Sequence, residues 1–362
     1  LNVSQSLLFV SIFALCLSGL MLFFPDKTAY ILGSSDYLLN HVKTYLLWIL
    51  PSFVFLMWSS LGLFIIRLDG APQLAMWLTI IEAVINTFLD WLFMFPLHMG
   101  VMGAALATTI ATIVGGVLTL CYLLYKAKTL KLYPIQINLR GFPLFAKGIV
   151  NQCRIGSSAM IGEATMAVLM FTGNQIFMKY LGDAGVGAFG VCCYYTPFVF
   201  MVGNAIAQSS QPIISYNYGL GFHDRVQSTV KLALTTALVC GMLVTTIFCV
   251  FPSFMVGLFL QNDSPAAQLA IHGFPYFAAG FVCFIINLTV IGCFQSLEKI
   301  KPALFFALFR GFIFLVPAFI LLPKLMGTKG IWLAMPISET FTFLVVVLFY
   351  FWQNHTHKSL NI

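Results

Sequence analysis

The chain's most constraining feature is a series of ten apolar stretches of about twenty residues, each closed by a short polar turn. They run at roughly 3–24, 40–66, 73–96, 102–125, 155–179, 185–212, 228–250, 267–295, 302–322 and 331–352. Hydrocarbon offers the backbone no hydrogen-bond partner, so a segment of this length must close its own bonds as a helix that crosses the bilayer. Strands of a barrel would alternate polar and apolar residues instead. Composition agrees: 60% of residues are hydrophobic, 8% are charged and the mean hydropathy is +0.96, whereas about a quarter of a soluble domain is charged. The expected fold class is all-α and integral to the membrane, with ten transmembrane helices and both ends on one side.

Lys and Arg choose that side. Traced through alternate loops, twelve of them, including Arg67 and six between Lys126 and Arg154, collect on one face and five on the other, with Arg310 left inside a span. The positive-inside rule makes the first face, and the carboxy terminus with it, cytoplasmic. The net charge of +7 is therefore topology; a nucleic-acid footprint would need a soluble basic surface. The nine cysteines include no CxxC, and the adjacent Cys192 and Cys193 are soft packing residues.

Laid against itself with a shift of 227 residues, the chain repeats: Pro25 meets Pro252, Asp36 meets Asp263, Gly100 meets Gly327 and Gly103 meets Gly330. The first four spans thus resemble the last four, in the same orientation. The two unpaired spans, at about 154–227, map ahead of Leu1. The repeat therefore predicts two further spans, about 75–90 residues, preceding this sequence, and a twelve-span, six-plus-six architecture. Its divisions are 1–130, a truncated amino-terminal lobe of four helices; 131–154, a cytoplasmic inter-lobe linker; and 155–362, a carboxy-terminal lobe of six helices.

Inside the third span stand Glu82, Asn86 and Asp90. Positions four apart on a helix drift by about 40°, so the three share one stripe about 80° wide. An ionised group at mid-bilayer costs about 2.5–3.5 kcal/mol, which turns the stripe toward the protein interior or a wet cavity. A buried polar network that only pins helices together is the plainer alternative. The turn PLHMG, centred near residue 99, puts Asp90 level with Thr108 and Asn86 level with Thr112. A carboxylate, an amide and two hydroxyls would form an oxygen-rich pocket suited to H+ or Na+.

RLDGAPQLAM, INTFLD, MGVMGAALAT, LGDAGVGAFG, QPIISYNYG and Arg225, taken in order, resemble the multidrug and toxic compound extrusion (MATE) family, in its bacterial DinF-like or MepA-like branch. The resemblance covers nearly the whole chain. It implies a twelve-helix, two-lobe antiporter whose amino-terminal lobe holds the coupling cation, with the family's Asn, Asp and Thr falling on Asn86, Asp90 and Thr108. Glu82 has no counterpart in that pattern.

In the carboxy-terminal lobe, Glu163 is a candidate second carboxylate. Asn174, Gln175, Gln208 and Gln211 are either polar lining of a cavity or ordinary interhelical bonds. Arg310 and Glu339 straddle the turn near residue 325 at equal depth, which predicts a structural ion pair. No GxxxxGK[ST], HExxH, GxSxG or Cys/His cluster is present, so phosphate-loop, zinc and serine chemistry lack their parts. The expectation is not an enzyme but a secondary antiporter of the bacterial inner membrane. It would export cationic lipophilic small molecules in exchange for H+ or Na+ as a monomer in lipid, with no cofactor, no nucleic acid, and no metal beyond Na+ at Asp90, Asn86 and Thr108. The alternatives are a flippase for lipid-linked oligosaccharides, which would need a wide cationic cavity, and an inactive truncated transporter fragment.

Overall fold

The computed structural model describes residues 2–31, 39–130, 132–133, 142–261 and 263–359. Asp36 and most of the segment 131–141, including Arg140, lie outside the described residues. The chain divides into two compact units, Leu1–Gln152 and Cys153–Ile362.

The first unit contains α1 (Asn2–Phe23), α2 (Pro25–Ile31), α3 (Leu39–Ile49), α4 (Phe53–Leu68), α5 (Pro72–Met94) and α6 (Gly100–Tyr125). Pro51 sits in a short 3-10 turn, Leu50–Ser52, that divides the second expected span between α3 and α4. The third span begins at Pro72, where a missing N–H costs a helix nothing. Helix α6 is the hub, packed on α3, α4 and α5, while α1 packs on α4. Small residues allow this closeness: Gly62 lies against Thr119, and Gly116 against the backbone of Phe55. Large apolar side chains such as Trp77, Phe88 and Trp91 point outward, as lipid-facing residues do.

Below α4 the RLDG turn carries a polar clasp. The Asp69 carboxylate accepts from the Tyr122 hydroxyl at 2.8 Å, from the amides of Lys128, Thr129 and Leu130 at 2.8, 2.7 and 3.1 Å, and from the Thr129 hydroxyl. Burial pushes the Asp69 pKa up, but these hydrogen bonds outweigh burial and hold the carboxyl well below the usual carboxylate range.

The second unit takes most of α7 (Phe142–Gly219), then α8 (His223–Val250), α9 (Pro252–Gly257), α10 (Pro265–Ala278), α11 (Phe281–Ser296), α12 (Ile300–Leu308), α13 (Leu315–Met326) and α14 (Thr328–Ser359). Straight, the 78 residues of α7 would measure about 117 Å, several bilayer thicknesses. Gly182, with φ 63° and ψ −155°, interrupts it where two spans were expected. The helix also begins at Phe142, inside the segment read as a linker, because FPLFAKGIV is apolar enough to continue a helix. Among the described residues eight helices are long and apolar enough to cross a membrane, or nine when α10 and α11, bent by 46°, count as one. The core is aromatic: Phe177 stacks on Phe189 at 4.6 Å and meets the Trp332 ring edge-on at 4.8 Å, and Gly273 leaves room for that indole.

Between α12 and α13 the chain makes a π-helical turn, Phe309–Ile313, which holds Arg310. Arg310 is fully buried; its Nε donates to Glu339 Oε1 at 2.7 Å and its guanidinium lies 4.1 Å from the centre of the Phe284 ring. Asn287 Nδ2 donates to Glu339 Oε2 at 2.8 Å and to the Glu339 carbonyl at 2.9 Å. The cluster joins α11, the π turn and α14.

The internal repeat reappears as matched local geometry. Gly100 and Gly327 both adopt positive φ, 56° and 61°. Pro25 opens α2 and Pro252 opens α9, two short helices that the apolar runs alone do not announce.

These packed polar groups can be tested by substitution. Asp69→Ala strands the bonded amides and hydroxyls and should lower stability by roughly 1–3 kcal/mol at neutral pH, read by thermal unfolding in detergent. Because the folded pKa is depressed, the deficit should be full above the unfolded carboxyl value of about 4 and close only as pH falls toward the lower folded value; equal melting at neutral pH would refute the clasp. Glu339→Leu leaves a buried unpaired cation and should cost about 3–5 kcal/mol, whereas the double change Arg310→Met with Glu339→Leu should cost much less. A double variant as unstable as the single would overturn that reading.

Candidate functional site

Helix α5 turns one partly buried face, carrying Glu82, Ile85, Asn86, Leu89 and Asp90, toward α4 and α6 and a strongly exposed face, with Val84 and Phe88, outward. The polar stripe therefore lies on the bundle side of the helix. Along that face its members meet different partners.

Asn86 Nδ2 donates to Thr108 Oγ1 at 3.3 Å, and the Thr108 hydroxyl donates to the Ala104 carbonyl at 3.1 Å. Depth alone pairs Thr108 with Asp90 and Thr112 with Asn86; the structure instead bonds Thr108 to Asn86, one turn from Asp90. Between the two helices, α5 ends at Met94 and α6 starts at Gly100, with His98 and Gly100 both at positive φ. Equal depth leaves helix phase free, and phase decides contact. Asp90 stands one turn beyond the Asn86–Thr108 bond, roughly 6 Å along the axis. Among the described residues no group bonds its carboxylate. Thr112 is buried on α6 and makes no bond to Asn86.

Glu82 leaves this group. Its Oε2 accepts from the Ser59 hydroxyl of α4 at 3.0 Å, and its carboxyl group fills the space above Gly115 of α6, where any side chain would collide with it. Neither Ser59 nor Gly115 stands out in a span already rich in small residues, so nothing in the sequence singled them out.

In the second unit a cavity of about 50 Å³ opens between α7 and α11, lined on its polar side by Ser158, Glu163, Asn204, Gln211 and Gln295. Gln295 Nε2 donates to Ser158 Oγ at 3.2 Å across it. Of the candidates named from sequence, Glu163 and Gln211 line this cavity and Gln208 does not. Asn174 and Gln175 are exposed, eleven and twelve residues along α7 from Glu163, too far along the axis to share the site. Drug pockets measure about 300–1,000 Å³; this one suits a small cation or a few waters. Arg310 and Glu339 sit together elsewhere in the unit, and Asn287, a lone amide in an apolar span, completes their cluster.

Comparison with known proteins gives these sites their setting. The MatE family profile matches residues 2–92 and 159–320. The multidrug export protein MepA of Staphylococcus haemolyticus (strain JCSC1435) is 24% identical over 349 residues, covering 95% of this chain and 74% of that protein. MepA of Staphylococcus aureus (strain N315) is 23% identical over 332 residues, covering 90% and 70%. Among solved structures, the MATE multidrug transporter DinF-BH, determined as a complex, superposes with a TM-score of 0.82 at 29% identity, over 95% of this chain and 76% of that one. An outward-facing MATE transporter of the MOP superfamily superposes at 0.87 with 19% identity, over 99% and 79%, and so shows the fold alone. The match over most of the chain, on a helical fold that these transporters share, means that the chain belongs to the MatE family of multidrug efflux transporters, whose members carry molecules across membranes rather than transform them.

Proposed function

We propose that this chain exports cationic lipophilic small molecules in exchange for H+ or Na+, with Asp90 as the coupling carboxylate. The observation that carries the reading is the Asn86–Thr108 bond. It sets an amide and a hydroxyl across α5 and α6 beside a carboxylate that has no bonded partner among the described residues. A carboxylate at this depth without a counter-cation is poised to take one up. Oxygens of Asp90, Asn86 and Thr108 suit a hard cation, and a proton needs the carboxylate alone. The bonded Asn86 and Thr108 hold their helices together in one state; loading Asp90 biases that state against another, and substrate leaves as the ion enters. Glu163, with Gln211 and the newly found Ser158, Asn204 and Gln295, is the corresponding polar site of the carboxy-terminal lobe.

Multidrug export, the function that the MepA relatives are named for, supports drugs as cargo, as does the likeness to the multidrug transporter DinF-BH. Arg310 is spent on Glu339, so the described residues offer little of the cationic lining that a lipid-linked oligosaccharide would need. On this reading the break at Gly182 and the bent pair α10–α11 each belong to membrane crossings, giving ten in this chain of a six-plus-six fold. The protein works as a monomer in the bacterial inner membrane with a cytoplasmic carboxy terminus, since the Lys and Arg bias places that end inside.

Efflux of a fluorescent cation from cells or proteoliposomes tests the assignment. Asp90→Asn should lower gradient-driven efflux at least about tenfold, the effect of removing one proton from the exchange at a gradient of one pH unit. Running the assay under separate proton and sodium gradients identifies the ion that Asp90 carries. Undiminished efflux in the variant under both gradients would remove Asp90 from coupling.

A further inference from the structure

We propose that Glu82, Ser59 and the notch at Gly115 form a second proton-binding site, separate from the Asp90 group. Glu82 is the eleventh of the twenty-three residues of α5, so it lies near the middle of the span. Its carboxyl group is held in place from two sides. Ser59, itself buried, donates to Oε2 at 3.0 Å from α4. From α6, Gly115 supplies the space that the carboxyl group occupies; even a methyl there would overlap it. A carboxyl group that merely trailed along a helix surface would need neither.

What this site can bind follows from what surrounds it. On α4 and α6, the helices packed against α5, the titratable groups are Arg67, Cys121, Tyr122 and Tyr125, all several residues beyond Ser59 or Gly115 along their helices. Tyr122 is committed to Asp69, and the Arg67 guanidinium lies over the Phe64 ring. On α5 itself the other charged residue is Asp90, two turns away. Among the described residues, Glu82 therefore has no cationic side chain to neutralise it. A metal cation such as Na+ would want several oxygen ligands, and here one neutral hydroxyl accompanies the carboxylate. A proton needs no further ligand. The Ser59 hydroxyl serves both states, donating to the carboxylate and accepting from the acid, so the proton can come and go without loss of the contact. No step beyond transfer of H+ onto and off a Glu82 oxygen is involved.

The consequence for transport rests on the antiporter reading above: two carboxyl groups on one face of α5 let the lobe carry two protons per cycle. Protonation itself is read without transport. Infrared difference spectra of the purified protein between acidic and alkaline buffer should contain a protonated-carboxyl C=O band that Glu82→Gln removes and Asp90→Asn keeps. Ser59→Ala, which leaves the carboxyl group in place but takes away its hydrogen bond, should move that band. In proteoliposomes under a gradient of about one pH unit, Glu82→Gln should lower the steady-state substrate ratio about tenfold, the share of one proton of the two. A Glu82→Gln spectrum identical to that of the parent overturns the site. If instead the Glu82 band is present and Asp90→Asn transports normally, the Asp90 assignment fails and the Glu82 site stands. Should Glu82→Gln not fold, Ser59→Ala decides alone: an unmoved band overturns the proposal.

Discussion

Hydrocarbon cannot hydrogen-bond, and every other feature of this chain answers to that fact. Backbone groups are satisfied by helix formation, but side chains must find partners one at a time inside a bundle. The structure meets this demand with a few dense polar knots: the Asp69 carboxylate caged by three amides and two hydroxyls, Arg310 shared between Glu339 and the Phe284 face, and Asn86 on Thr108. Glycine is what lets the knots tie. Gly115 admits the Glu82 carboxyl group, and Gly311 beside Arg310 lets Thr165 approach the π turn.

The charged groups within the spans sort into two chemical kinds. Arg310 and Glu339 neutralise each other in the buried core, with Asn287 taking the second carboxylate oxygen. Such a pair resists any change of charge, because altering one partner strands the other. Among the described residues, Glu82, Asp90 and Glu163 have no cationic side chain bonded to them, and each remains at least partly accessible. For a transporter driven by an ion gradient the second kind is the useful one, since an unpaired carboxylate changes its interactions when a cation arrives. A helical lobe therefore needs both: closed pairs to hold its shape and open carboxylates to change state.

Much of this was legible in the residues. Apolar runs of about twenty predicted helices and their approximate bounds, and the shift of 227 residues anticipated features that recur in three dimensions, including positive φ at both Gly100 and Gly327. The stripe Glu82–Asn86–Asp90 was visible because helical period alone puts residues four apart on one face. Interruptions were harder. The bend between α10 and α11, the π turn at Arg310 and the short helices α2 and α9 leave no mark on hydropathy, because a bent helix is as apolar as a straight one.

By itself the sequence determined which groups must be shielded from lipid, since burial cost belongs to the residue type and its place in an apolar run. Tertiary structure alone decided which of them meet. Side-chain direction gave Thr108 to Asn86 rather than to Asp90. Helix phase sent Glu82 to Ser59 and Gly115, and about 17 Å of helical rise kept Asn174 and Gln175 away from the Glu163 cavity. Contact between neighbouring helices depends on rotation and axial offset to within a fraction of a turn, and those quantities are fixed by the sum of side chains packed between the helices, which no single residue's chemistry contains.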